Sequence, residues 1–129
     1  MKAYLAPWSP QLLSILRIVT GFLFLQHGTQ KWVGFPVARQ GPIELWSTTG
    51  IAGALELVGG ALIIVGLFTR PTAFILSGLM AFAYFLAHAP QGFWPIVNKG
   101  ELAALYSFLF LYFSAAGGGP WSLDALRKG

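Results

Sequence analysis

Residues 50–69 read GIAGALELVGGALIIVGLFT, twenty positions carrying a single ionisable side chain, Glu56. A bilayer core about 30 Å thick is crossed by roughly 20 mostly apolar residues in helical form, so this stretch reads as a membrane span. Arg70-Pro71 follows at once, and residues 71–89, PTAFILSGLMAFAYFLAHA, form a second apolar run of the same reach. Working outward, Gln11 to Lys31 and Gly100 to about Gly117 give two more. The expected fold is therefore all-α: one integral membrane domain, a four-helix bundle with spans at about 11–31, 50–69, 71–89 and 100–117. The first run carries Arg17 mid-way and no small-x-small cleavage site follows it, so it reads as a retained span rather than a cleaved leader.

Composition supports this solvent. Of 129 residues, 56% are hydrophobic and 9% charged, where soluble domains carry roughly 25% charged residues. The net charge of +4 comes from scattered Lys and Arg without a basic patch, which excludes nucleic acid as the expected partner. With no cysteine in the chain, disulfide, zinc–thiolate and CxxC chemistry are excluded too. Any redox role needs a partner or a cofactor.

Tryptophan gathers where apolar ring and wet N–H are both satisfied, at the membrane boundary. All five tryptophans fall outside the four runs: Trp8 and Trp121 on one side, Trp32, Trp46 and Trp94 on the other. Lys2, Arg70, Arg127 and Lys128 share the first side and Lys31, Arg39 and Lys99 the second. Positive-inside counting then expects both termini in the cytoplasm and the protein in the inner membrane. The longer loops, Trp32 to Thr49 and Pro90 to Lys99, lie outside, with Pro42 to Trp46 expected as a short interfacial helix. Small residues recur at helical spacing, in Ala52, Gly59 and Gly66, in Gly53 and Gly60, and in Ala73, Ser77 and Ala81. Such stripes let helices approach closely in lipid.

Phe24-Leu25-x-His27-x-x-Gln30 and Phe85-Leu86-x-His88-x-x-Gln91 end the first and third runs, and Glu-Leu pairs follow at 56–57 and 101–102. They suggest two helical hairpins related by a pseudo-two-fold axis, although a chain this rich in Phe and Leu also yields such matches by chance. Helical rise puts His27, Glu56, His88 and Glu101, one from each helix, in the outer third of the membrane. Gln30, Lys31, Tyr84, Gln91 and Asn98 stand around them. Glu56 inside lipid reads either as a proton acceptor beside His27 or as a protonated carboxyl bonded to a neighbouring helix. His27 and His88 read as ligand-binding or simply as interfacial hydrogen-bonders, and Glu101 doubles as a helix-start charge. Metal is not expected, because no Glu-x-x-His pair is present, and a bis-histidine haem is less expected still. Arg17, the remaining membrane charge, is expected to snorkel toward headgroups, with a buried pair to Glu56 as the alternative.

Taken in order, Ile15-Leu16-Arg17-Ile18, Gly21-Phe22-Leu23-Phe24, His27-Gly28-x-x-Lys31, Gly53-x-x-Glu56-Leu57-x-Gly59-Gly60 and Gly66-Leu67-x-Thr69-Arg70-Pro71 resemble the DoxX family of membrane proteins. The likeness continues through Ala83-Tyr84-Phe85, Pro90-Gln91-Gly92-Phe93-x-Pro95 and Asn98-x-Gly100-Glu101. The resemblance implies a four-helix inner-membrane protein similar to the DoxD-type subunit of thiosulfate:quinone oxidoreductase, with Arg17, His27, Lys31, Glu56 and Glu101 on the family's polar positions. The missing cysteines argue against direct sulfur transfer. The leading functional expectation is a membrane subunit of an oxidoreductase or electron-transfer system that lets quinone approach. Glu56 and His27 would carry the chemistry; His88, Gln30, Lys31, Tyr84 and Glu101 would bind the ligand. The alternative is a non-catalytic assembly or scaffold subunit. Expected partners are the lipid bilayer and other membrane or redox subunits, or further copies of the chain.

Overall fold

The computed structural model describes residues 3–39 and 41–128, the last of these by its backbone alone. Lys2, counted above with the termini, lies outside the described residues. Among those described the chain is mainly helical, with no strand: α1 Ser9–Val33, α2 Thr48–Val65, α3 Thr69–Ala83, α4 Pro95–Asn98, α5 Glu101–Ala116 and α6 Leu123–Lys128. Three helical segments, Ala6–Val33, Thr48–Val65 and Thr69–Gln91, are long and apolar enough to cross a membrane. The fourth expected span, α5, is apolar but shorter, at 16 residues.

Local chemistry sets the ends. Ser47 Oγ accepts from the Gly50 amide and starts α2, and the same hydroxyl donates to the Glu44 carbonyl. That tight turn leaves Pro42 to Trp46 non-helical, contrary to the expected interfacial helix. Gly34 and Gly66, at φ 67° and 70°, stop α1 and α2 in the left-handed conformation that glycine adopts without a Cβ clash. The second span therefore ends at Val65, short of the expected Thr69, which instead opens α3. Beyond Ala83 the third span loosens into a π turn, Tyr84–His88, and a 3-10 turn, Ala89–Gln91.

The helices pair as two hairpins, α1 with α2 and α3 with α5. Glycine makes the first pairing close. A Cβ on Gly28 would lie 2.8 Å from the Leu57 main-chain nitrogen, and one on Gly21 would lie 3.0 Å from that of Ile64. In the second hairpin, Ser77 Oγ donates to the Ser107 carbonyl at 2.7 Å and Ser107 Oγ returns a bond to the Ser77 carbonyl at 2.9 Å. Reciprocal hydroxyl bonds satisfy polar groups that lipid cannot. The hairpins join through Phe24, Ile63, Leu76, Tyr106, Phe110 and Phe113, with Phe24 edge-on to Phe110 at 4.9 Å.

At the termini end, Arg17 is buried, 1% exposed. It corrects both expectations, since it neither reaches headgroups nor meets Glu56. The side chain does lean toward its own helix N-terminus, as helical geometry requires, but the chain after α5 folds over it. Arg17 donates to the carbonyls of Gly118, Trp121 (2.7 Å) and Ile64 (3.4 Å). Asp124 completes this end: its carboxylate accepts from the amides of Phe68 and Thr69, both at 2.8 Å, and so caps the N-terminus of α3. Burial alone would push the Asp124 carboxyl up, but bonds from Thr69 and Phe68 and the nearby Arg127 outweigh it and hold the group below its ordinary value.

Candidate functional site

At the loop end, where both hairpins open, a cavity of about 260 Å³ lies among the last turns of α1 and α3, the middle of α2 and the first turns of α5. Glu56, His27, His88 and Lys31 all line it, so four of the expected site residues meet. Phe24, Met80, Ala83, Leu102 and Ala103 supply apolar wall, and Lys99 and Tyr106 add polar groups.

Its centre is an ion pair. Lys31 Nζ stands 2.5 Å from Glu56 Oε1, with Glu56 buried and the Lys31 side chain 25% exposed. Glu56 sits mid-way along α2 and Lys31 in the last turn of α1. Because the helices are antiparallel, the N-terminal lean of each side chain brings the two together across the Gly28–Gly53 contact region. Glu56 thus bonds a neighbouring helix, and its partner there is the Lys31 ammonium of α1. His27 is not its hydrogen-bond partner; the His27 ring stands edge-on to Tyr106 at 6.1 Å.

His88 comes from the π turn, where the Ala89 amide reaches back to the Tyr84 carbonyl. Turns of this kind are frequent at functional positions. His88 Nδ1 lies 3.0 Å from the Asn98 main-chain oxygen. Asn98, fully buried, organises the loop around it: Nδ2 donates to Gly92 O at 2.9 Å and to the Tyr84 hydroxyl at 3.1 Å, and Oδ1 accepts from the Gly100 amide at 2.8 Å. The next residue, Lys99, is held at φ 62°, a left-handed conformation that side chains other than glycine, Asn and Asp seldom adopt.

Three expected ligand residues are not in this cavity. Tyr84 is not among its lining residues, and its hydroxyl accepts from Asn98 Nδ2. Gln30 lines a second, open recess of about 660 Å³ with Arg39, Glu44, Ser47 and Thr49, which shares only Lys31 with the cavity. Glu101 is exposed and outside the lining. The reason is register: Glu56 is the ninth residue of α2 whereas Glu101 is the first of α5, so the Glu-Leu pairs occupy different depths. Tyr106, further along α5, takes the place facing α1. Asn98 was legible as polar but not as the organiser of the loop, because its partners are spread over residues 84 to 100. Among the described residues, no three of His, Cys, Asp or Glu gather as a metal site.

A family model described as DoxX matches residues 12–89. An uncharacterized protein from Haemophilus influenzae is 48% identical, covering 93% of each chain. An uncharacterized membrane protein from Mycobacterium tuberculosis is 30% identical over 89% of this chain and 80% of its own length. A Bacillus subtilis protein named "Putative oxidoreductase CatD" is 35% identical over a shorter stretch, 43% of this chain and 44% of that one. No solved structure matches.

Proposed function

Because the chain belongs to the DoxX family of membrane proteins, we propose that it is a membrane subunit of an oxidoreductase or electron-transfer system whose loop-end cavity receives a quinone. The observation that carries this reading is the cavity's mixed lining at one end of the apolar helices. Phe24, Met80 and Leu102 suit a flat apolar ring, and His27, Lys31, Glu56, His88, Lys99 and Tyr106 offer donors and acceptors to ring oxygens. The partial likeness to a protein named as an oxidoreductase supports it. In this reading the protein lies in the inner membrane with both termini cytoplasmic, and the redox partner, another subunit or a further copy, docks on the outer loops.

Glu56 is the residue on which proton exchange would turn, with Lys31 as its hydrogen-bonded partner. The direct test is to purify the protein in mild detergent, identify co-purifying quinone and polypeptides, and compare the wild type with Glu56→Gln. Retained assembly with turnover reduced tenfold or more, roughly 1.4 kcal/mol of barrier, supports the reading; full turnover in an assembled Glu56→Gln complex ends the role of Glu56. A scaffold without chemistry is the second reading, and one observation favours it: Lys31 and Glu56 satisfy each other, as do Asn98 and its loop. A ligand-free, partner-bound preparation would support it.

A further inference from the structure

Hydrogen-bond polarity at His88 is fixed by its neighbour. A carbonyl oxygen only accepts, so the Nδ1 that stands 3.0 Å from Asn98 O carries the proton. The remaining nitrogen of the neutral ring, Nε2, is then an acceptor. Nδ1 is spent on Asn98, and Nε2 is the polar group His88 can offer the cavity that it lines. The Asn98 carbonyl is itself held, because the Asn98 side chain is locked to Gly92, Tyr84 and Gly100. Space is tight there too: a Cβ on Gly100 would lie 2.6 Å from Tyr84 Cε2.

Of the other polar groups on the cavity wall, His27 and Tyr106 stand edge-on to one another at 6.1 Å. Lys31 and Glu56 are engaged with each other. Lys99, presented by the same Asn98 turn, is a donor on the cavity wall. A ligand thus meets an acceptor at His88 and a donor at Lys99.

We propose that the cavity selects the reduced, dihydroxy form of a quinone-class ligand over the oxidised form, through a hydrogen bond from a ring hydroxyl to His88 Nε2, with Asn98 as the positioning residue. This rests on the quinone reading above. A hydroxyl both donates and accepts, so it suits His88 and Lys99 alike. A quinone carbonyl satisfies Lys99 but sets lone pair against lone pair at His88. Phe24, Met80 and Leu102 contact either form equally and do not discriminate.

The test uses the full chain in lipid nanodiscs, titrated calorimetrically under anaerobic conditions with a short-chain benzoquinol and, separately, its benzoquinone, against empty nanodiscs. The quinol should bind about tenfold more tightly, the order of one well-made hydrogen bond. His88→Phe keeps an aromatic ring without the acceptor and should bring the ratio close to one by weakening quinol binding alone. Nitrogen NMR of the wild-type His88 ring, at a pH where it is neutral, supplies a measurement independent of that variant's folding: Nδ1 protonated and Nε2 bare is expected, and the opposite tautomer overturns the proposal. Equal binding of both forms, or tighter quinone binding, overturns it while leaving the quinone reading intact. Binding of neither form removes both.

Discussion

Lys31 and Glu56 meet at 2.5 Å although they lie 25 residues apart and at different distances from the ends of their helices. The lean of helical side chains explains it: Lys31 on the rising helix points back into the membrane, and Glu56 on the descending helix points out toward it. The same rule separates Arg17 from Glu56, and Arg17 turns instead to the carbonyls of Gly118 and Trp121.

Removing one partner of this pair should cost more than removing both. Lys31→Met strands the more buried group, since the Glu56 side chain is 5% exposed against 25% for Lys31. It should therefore destabilise more than Glu56→Leu, by about 2–4 kcal/mol against about 1–3. The double variant should recover most of the loss. Thermal unfolding in detergent measures all three, and strictly additive effects would refute the coupling.

Arg17→Met should free the segment after α5. Two of the three carbonyls the guanidinium binds belong to that segment, so hydrogen exchange at 117–121 should rise sharply while α3 and α5 remain protected. The expected loss is on the order of 3 kcal/mol, from charge-assisted bonds to buried carbonyls. Arg17→Lys should recover only part, because one ammonium cannot bridge a fork of carbonyls. Unchanged exchange in Arg17→Met would deny Arg17 its anchoring role.

Asp124 should make stability depend on acid pH. Its folded value lies below its unfolded one, despite burial, through the Thr69 and Phe68 bonds and Arg127. A depressed carboxyl contributes stability that is complete above the unfolded value near 3.8 and is lost as pH falls through the lower folded value. Melting temperature followed from neutral into strongly acid solution should therefore fall less steeply in Asp124→Asn than in the wild type. Parallel curves would assign the acid transition to other carboxylates.

Topology is open to labelling at exposed positions. Single cysteines at Gly41 and Phe93, in the two longer loops, should react with an impermeant thiol reagent in intact cells, and cysteines at Ala3 and Leu126 should react only after lysis. The opposite pattern would invert the orientation and leave the helices as they are.

Sequence alone determined the helical membrane architecture, because the length of an apolar run and the position of tryptophan respond to the bilayer, an environment that acts on each segment separately. The runs at 11–31 and 100–117 fall on α1 and α5, that at 71–89 falls on α3 and the two turns after it, and the glycine stripes mark contacts that exist. Sequence also brought forward His27, Lys31, Glu56 and His88, since ionisable groups inside lipid are conspicuous wherever they stand. Which of them pair, and which way each faces, depended on the rotation and register of one helix against another, which no single segment encodes. Hence Glu101, equivalent to Glu56 by motif, stands outside the cavity, while Tyr106 lines it. Arg17 is buried only because residues 117–121, a hundred positions later, fold across it. The π turn that delivers His88 and the Asn98 clamp that orients it are likewise products of tertiary contact, made where the buried Asn98 side chain must satisfy its polar atoms within the loop between α3 and α5.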